Sequence, residues 1–153
     1  MKFYRSWNID KHRFTWGRKP GIRINDWLEG NVVAISKVPR KVRNEYRDTL
    51  TRAALAARMY GKKVHVNSSY RDPALQALMY AQNMDKATGR PKPGRPLTAK
   101  PGTSPHERGI GLDIPNARIT TQLINKLRIF ELVDDVSSEI WHVTNHAALR
   151  RGA

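Results

Sequence analysis

In the stretch SPHERGIGLD, residues 104–113, His106 and Asp113 stand seven apart with Gly109 and Gly111 between them. The glycines permit a tight turn and a close backbone approach, so the chain can fold back from the first side chain to the second. Alone the pair is a weak signal, because a histidine and an aspartate at this spacing arise by chance in many proteins. A second stretch, SSEIWHVT (137–144), adds Glu139 and His142 beside Trp141. Two histidines and one carboxylate leave the fourth position of a tetrahedral zinc ion open to water, the pattern of catalytic rather than structural zinc. Bound zinc brings the pKa of water down toward ~7, and a free carboxylate nearby can take the proton. His106, Asp113 and His142 are therefore the candidate metal ligands, and Glu139 is the candidate general base. In a straight strand Glu139 and His142 would face opposite ways, so a bend or bulge is predicted at 139–141. The other histidines, His12, His65 and His146, have no such partners and are read as non-ligands.

The elements that must position these residues follow from periodicity and punctuation. NVVAI (31–35) and VHVN (64–67) read as short strands. Between them Val42, Tyr46, Leu50, Ala53, Ala57 and Tyr60 recur at spacings of three and four, which predicts a helix over 39–60 that Gly61 ends as a C-cap. Asp72-Pro73 opens another helix, Asp as N-cap and Pro at the first helical position, running to about Met84 with Leu75, Leu78 and Met79 facing inward. Residues 85–103 hold four prolines, three glycines and five cations without periodicity, which predicts a long surface loop leading into the His106 motif. A strand at 109–114, an amphipathic helix at 119–130 with Leu123, Ile124 and Leu127 on one face, and strands near 132–136 and 140–144 complete the order. Helices and strands do not alternate regularly enough for a doubly wound sheet. The expected fold is α+β, a small, mainly antiparallel sheet with helices packed on one face.

At 153 residues the chain suits one domain. We divide it into a Trp- and Arg-rich extension over 1–30, which packs on the domain or docks onto a partner, and a site-bearing domain over 31–153. There is no cysteine, which excludes disulfide frameworks and thiolate metal sites. No apolar run is long enough for a bilayer, and the first residues lack the pattern of a secretory signal. A formal charge of +15 suits a polyanionic partner. The charge is uneven: residues 1–60 carry 14 Lys/Arg against 5 Asp/Glu, residues 61–103 carry 8 against 2, and residues 104–153 carry 6 against 6. Basic surface and site chemistry are thus partly separate. A nucleic-acid partner is disfavoured, since no recognised module is present and the cations form no single helical stripe.

The two site motifs resemble those of the D-alanyl-D-alanine carboxypeptidase and L-alanyl-D-glutamate endopeptidase family of zinc peptidases, the VanY-like group that includes phage endolysins. The family pattern Ser-x-His-x-x-Gly-x-Ala-x-Asp followed by Glu-x-Trp-His is met by Ser104, His106, Gly109, Asp113, Glu139, Trp141 and His142, with Gly111 where alanine is usual. That exchange is expected to loosen the strand without removing a ligand. SSYRD (68–72) and Gln76 resemble the family's Ser-x-Tyr-Arg element ahead of a helix, so the resemblance covers roughly residues 40–145. It implies a hedgehog/DD-peptidase-like fold, a Zn2+ cofactor and the peptidoglycan stem peptide as substrate. It also implies that Arg71 engages a substrate carboxylate or carbonyl, a role a planar fork suits; Ser104, Tyr70 and Trp141 are further candidates for substrate binding or for shaping the pocket. An anionic cell-wall polymer is a second expected partner. Family members of bacterial hosts are usually exported. A chain made in the cytoplasm without a signal therefore fits a phage endolysin released through a holin, or a tail-associated lysin docked through residues 1–30 and carried in the virion. The competing reading is a catalytically inactive structural or wall-binding protein of a phage particle.

Overall fold

The computed structural model describes the backbone of residues 5–8 and 13–16, and residues 28, 30–34 and 37–153. Near the N-terminus β1 (Arg5–Asn8) and β2 (Arg13–Trp16) pair antiparallel, with Trp7 opposite Phe14. Leu28, near the end of the extension over 1–30, packs against the hydrophobic core; whether the rest packs on the domain or docks onto a partner lies outside the described residues. Two-residue β3 (Val32–Val33) precedes a single 3-10 turn, Arg40–Val42.

Helix α1 (Arg43–Tyr60) is the central element. Its predicted stripe is buried at Tyr46, Leu50, Ala53 and Ala57. Gly61 ends it in the left-handed region, φ 77°, donating its N–H to the Ala57 carbonyl at 2.8 Å. The apolar period does not reveal that Asp48, Thr49, Thr51 and Arg52 are buried too. Burial lowers the Arg52 pKa, and the guanidinium is held by Asp48 at 3.1 Å and the Phe130 carbonyl at 2.9 Å. The other Asp48 oxygen accepts from the Asn145 amide at 3.0 Å. The helix is therefore wrapped on a polar as well as an apolar side, and its polar face ties it to the last strand.

Strand β4 (Val64–His65) lies parallel to β3, with Val32 opposite Val64. Helix α2 (Pro73–Asn83) opens as predicted, the Asp72 carboxylate accepting from the Ala74 N–H at 2.8 Å. Its inward face is not the predicted one. Leu75 and Leu78 are about half exposed, while Gln76 and Asn83 are buried. The helix is anchored through amides: Gln76 Nε2 donates to the Ala99 carbonyl at 2.8 Å, and Asn83 Nδ2 to the Thr98 hydroxyl at 2.9 Å. Both contacts hold the long loop, so the helix packs on irregular backbone whose carbonyls and hydroxyl require donors. Apolar side chains could not supply those donors, and they turn outward instead.

The loop 85–103 contains no regular element, as its prolines and glycines predict. It is followed by β5 (Gly111–Asp113), then, after a 3-10 turn at Asn116–Arg118, by α3 (Thr121–Ile129). Thr120 caps α3, its hydroxyl accepting from the Leu123 N–H at 3.1 Å. Leu123 and Leu127 are buried against α1 and Leu132. Strands β6 (Leu132–Val133) and β7 (His142–Asn145) complete an antiparallel sheet of order β5-β7-β6. The last strand begins two residues later than predicted. Residues 139–142 form a turn in which the His142 N–H donates to the Glu139 carbonyl at 3.0 Å. A short helix, α4 (His146–Arg150), was not anticipated; Asn145 caps it by accepting from the Ala148 N–H at 3.1 Å. The architecture is α+β, helices with a small antiparallel three-stranded sheet.

Candidate metal centre

Sheet register brings the two motifs together. Asp113 is the last residue of β5 and pairs directly with His142, the first of β7. On its other edge Asp113 is bridged to Ser68: its N–H donates to the Ser68 carbonyl at 2.8 Å, and its carbonyl accepts from the Asn67 N–H at 2.9 Å. The Asp113 backbone is thus fixed on both sides. His106 arrives from the turn before β5, where the Glu107 carboxylate accepts from the Gly102 N–H at 2.9 Å and the Ser104 N–H at 3.1 Å. Glu107 is buried and acts as the clasp of that turn.

Gly109 and Gly111 differ in purpose. Gly109 has φ 71°, and an added Cβ would lie 3.1 Å from the Tyr46 backbone nitrogen, so α1 is seated directly on it. At Gly111 a Cβ would stand 3.1 Å from His142 Cε1 and 3.0 Å from Pro105 Cβ. The expectation that Gly111 loosens the strand is therefore corrected: the space is taken up by the His142 ring and the His106 turn, which close onto it.

Among the described residues, His106, Asp113 and His142 form the one group of this kind, with candidate ligand atoms all within 4.8 Å of one another. Asp113 Oδ1 lies 3.2 Å from His106 Nε2 and 2.9 Å from His142 Nδ1. The outer nitrogen of His106, Nδ1, lies 2.7 Å from the Ser69 carbonyl. A carbonyl only accepts, so Nδ1 carries a proton, and in the neutral ring the bare lone pair of Nε2 points toward a carboxylate oxygen. Two lone pairs in that position call for a cation between them. The donor set fits zinc, which takes imidazole nitrogen and carboxylate oxygen in tetrahedral sites.

The three residues sit in a cleft of about 400 Å³ whose lining also includes Arg71, Gln76, Ser104, Glu139 and Trp141. Met79, Pro96, Leu97 and Val136 supply apolar wall, so the loop 85–103 forms one side. Glu139 reaches the cleft because of the 139–142 turn. Burial pushes its carboxyl above the usual range; His142 opposes that and Asp113 reinforces it. Arg71 is braced by Gln76 Oε1 at 2.8 Å and Ser68 Oγ at 3.2 Å, and stands 3.8 Å from Asp113 Oδ2. Ser104 turns its hydroxyl toward the His106 N–H at 3.3 Å. Tyr70 is not brought to this cleft. It lines a separate depression with Lys37, Pro39 and Asp72, because it precedes the braced Arg71 on an extended segment and faces away from it.

Residues that motif reading did not single out support the set. Ser69 fixes His106 through its carbonyl, and Thr144 Oγ1 lies 2.8 Å from His142 Nε2. The sequence does carry a signal for Thr144, since residues two apart on a strand share a face. It carries none for Ser69, which acts through backbone.

Two histidines and a carboxylate that could hold a metal share one cleft with a second carboxylate and a braced arginine, the donor set and side groups that metal-assisted hydrolysis would use. The D-alanyl-D-alanine carboxypeptidase family model, VanY, matches residues 39–145, which contains every residue of that centre, and the chain belongs to this family. It is thereby a peptidase whose substrate class is the bacterial cell wall. No curated protein matches the chain.

Proposed function

We propose that this protein is a zinc-dependent peptidase that cuts within the stem peptide of peptidoglycan. The observation that carries the reading is the convergence of His106, Asp113 and His142 in the cleft that also holds Glu139. A zinc ion held by those three side chains would supply a Lewis acid for the scissile carbonyl and make water acidic enough to lose a proton near neutrality. Glu139 takes that proton as general base and delivers it to the leaving amine; its burial, which raises the carboxyl pKa, suits a group that must both accept and release a proton. Arg71, held rigid by Gln76 and Ser68, orients the peptide through a carbonyl or carboxylate. Trp141 and the apolar loop side exclude water around the bond.

Internal cleavage is favoured over removal of a terminal residue. Asp113 and Trp141 also line a second groove, with Asn67, Ser68, Pro115, Asn116 and Ala117, and none of the described residues that line it is a cation. A peptide therefore has room on both sides of the centre. The proposed setting is phage lysis or entry, the enzyme acting on the wall either as a free endolysin or as a tail component. An inert wall-binding protein would have no use for Glu139 in the cleft.

Digestion of purified muropeptides followed by mass spectrometry tests this. Zinc-loaded protein should release internal fragments with new amino and carboxyl termini. Glu139→Ala should retain zinc while cleavage falls by about 10²–10⁴-fold, and His106→Ala should lose zinc. Unchanged turnover in Glu139→Ala would remove that residue from its role, and release of single alanine alone would replace endopeptidase by carboxypeptidase action.

A further inference from the structure

The outer side of His142 leads away from the cleft along a chain of polar groups that do not line it. His142 Nε2 lies 2.8 Å from Thr144 Oγ1, and that hydroxyl donates to Asp135 Oδ1 at 2.9 Å. The second Asp135 oxygen lies 2.9 Å from His146 Nε2. A carboxylate accepts only, so the imidazole of His146 donates to Asp135, and Asp135 is gripped from both sides. The single proton of the Thr144 hydroxyl is spent on Asp135, and toward His142 the oxygen can only accept. His142 must therefore carry a proton on Nε2, and in the neutral ring that leaves the Nδ1 lone pair facing Asp113 Oδ1 at 2.9 Å.

Geometry at the centre alone would favour the opposite arrangement. With its proton on Nδ1, His142 would donate straight to the Asp113 carboxylate at the same 2.9 Å. Both ligands would then be tied up in a hydrogen bond in which Nδ1 has no lone pair for a metal.

We propose that Asp135 and Thr144 are positioning residues, a polarised relay that holds His142 in the tautomer able to bind a metal and prevents it from closing onto Asp113. The proposal rests on the zinc reading above. The fold supplies the relay cheaply: Thr144 shares a strand face with His142 and pairs in register with Val133, two residues before Asp135. Outer partners of metal-bound histidines act in this way by fixing ring orientation and tautomer.

The test is zinc affinity by competition with a chromophoric chelator, on wild type, Thr144→Val, Thr144→Ser and Asp135→Ala, with thermal unfolding of each apoprotein alongside. Thr144→Val keeps the shape of the side chain and removes the relay, and should weaken zinc binding by about 10–100-fold. Thr144→Ser restores a hydroxyl and should stay within about threefold of wild type, and Asp135→Ala should fall between them. Nitrogen-15 NMR of the His142 ring in the apoprotein should show Nε2 protonated in wild type and a shift toward Nδ1 in Thr144→Val. Thr144→Val binding zinc as wild type does would overturn the relay alone. So would Thr144→Ser binding as weakly as Thr144→Val, since the hydroxyl would not be the cause. Wild type that takes up no zinc would overturn the zinc reading and the relay with it.

Discussion

His106 and His142 each turn one nitrogen toward Asp113 and the other into the fold, and that division is what makes the centre more than three neighbouring side chains. The inner atoms were legible from residue type and spacing, because metal chemistry demands particular donors in number. The outer contacts were not, since a backbone carbonyl such as that of Ser69 leaves no mark on composition. Tyr70 shows the opposite failure: a residue inside a recognisable element that the local backbone turns away from the cleft. Arg71 carries a prediction at this scale. Its guanidinium spans Gln76 and Ser68 and faces Asp113, a forked geometry that an ammonium cannot reproduce. Arg71→Lys should therefore raise KM for a muropeptide about tenfold or more while zinc content stays at wild-type level, the loss of one charge-assisted hydrogen bond being worth about 1.5–3 kcal/mol. Steady-state kinetics beside metal analysis would check it, and an unchanged KM would remove Arg71 from substrate binding.

Elements whose positions were set by capping and by strong periodicity were readable in advance, and those set by tertiary contact were not. The α1 stripe, its Gly61 cap and the Asp72 cap of α2 are local physics and appear where expected. The inward face of α2 was misread because its partner is a loop with carbonyls to satisfy, so Gln76 and Asn83 go inside and Leu75 and Leu78 outside. The late start of β7 has a different cause. The 139–142 turn bends the chain so that Glu139 and His142 line one cleft, which a straight strand starting at 140 would not allow. Between elements, the contact of Gly109 with α1 is the most exposed to a single atom. Gly109→Ala would place a Cβ 3.1 Å from Tyr46 nitrogen on a residue at φ 71°. The left-handed backbone alone costs about 1–2 kcal/mol, and the crowding adds to it. Urea unfolding should show a loss of at least that size; a variant as stable as wild type would mean that the helix and turn shift apart without cost.

Across the whole molecule, charge and chemistry occupy different parts of the chain. The whole formal net charge of +15 falls before residue 104, whereas the centre lies in the balanced remainder apart from Arg71 and the loop wall. We propose that the basic part of the chain concentrates the enzyme on a polyanionic wall, while the near-neutral segment around His106, Asp113 and His142 leaves their local electrostatics to Asp113 and Glu139. Wall adsorption and peptide cleavage should therefore respond differently to salt. Raising ionic strength from about 0.01 to 0.15 M shortens the screening distance from about 30 to 8 Å. Pelleting with intact cell walls should weaken steeply over that range, while turnover of a small soluble muropeptide should change little. Adsorption that ignores salt would assign wall binding to something other than charge.

His106, Asp113 and His142 are proposed to hold one zinc ion. Zinc-edge X-ray absorption on the zinc-loaded protein reads the coordination directly. The spectrum should show about one zinc per chain, with two imidazole nitrogens at about 2.0–2.1 Å and oxygen from carboxylate and water at about 2.0–2.2 Å, the imidazole signal halved in His142→Ala. A shell of oxygen alone, or a spectrum unchanged in His142→Ala, would contradict it.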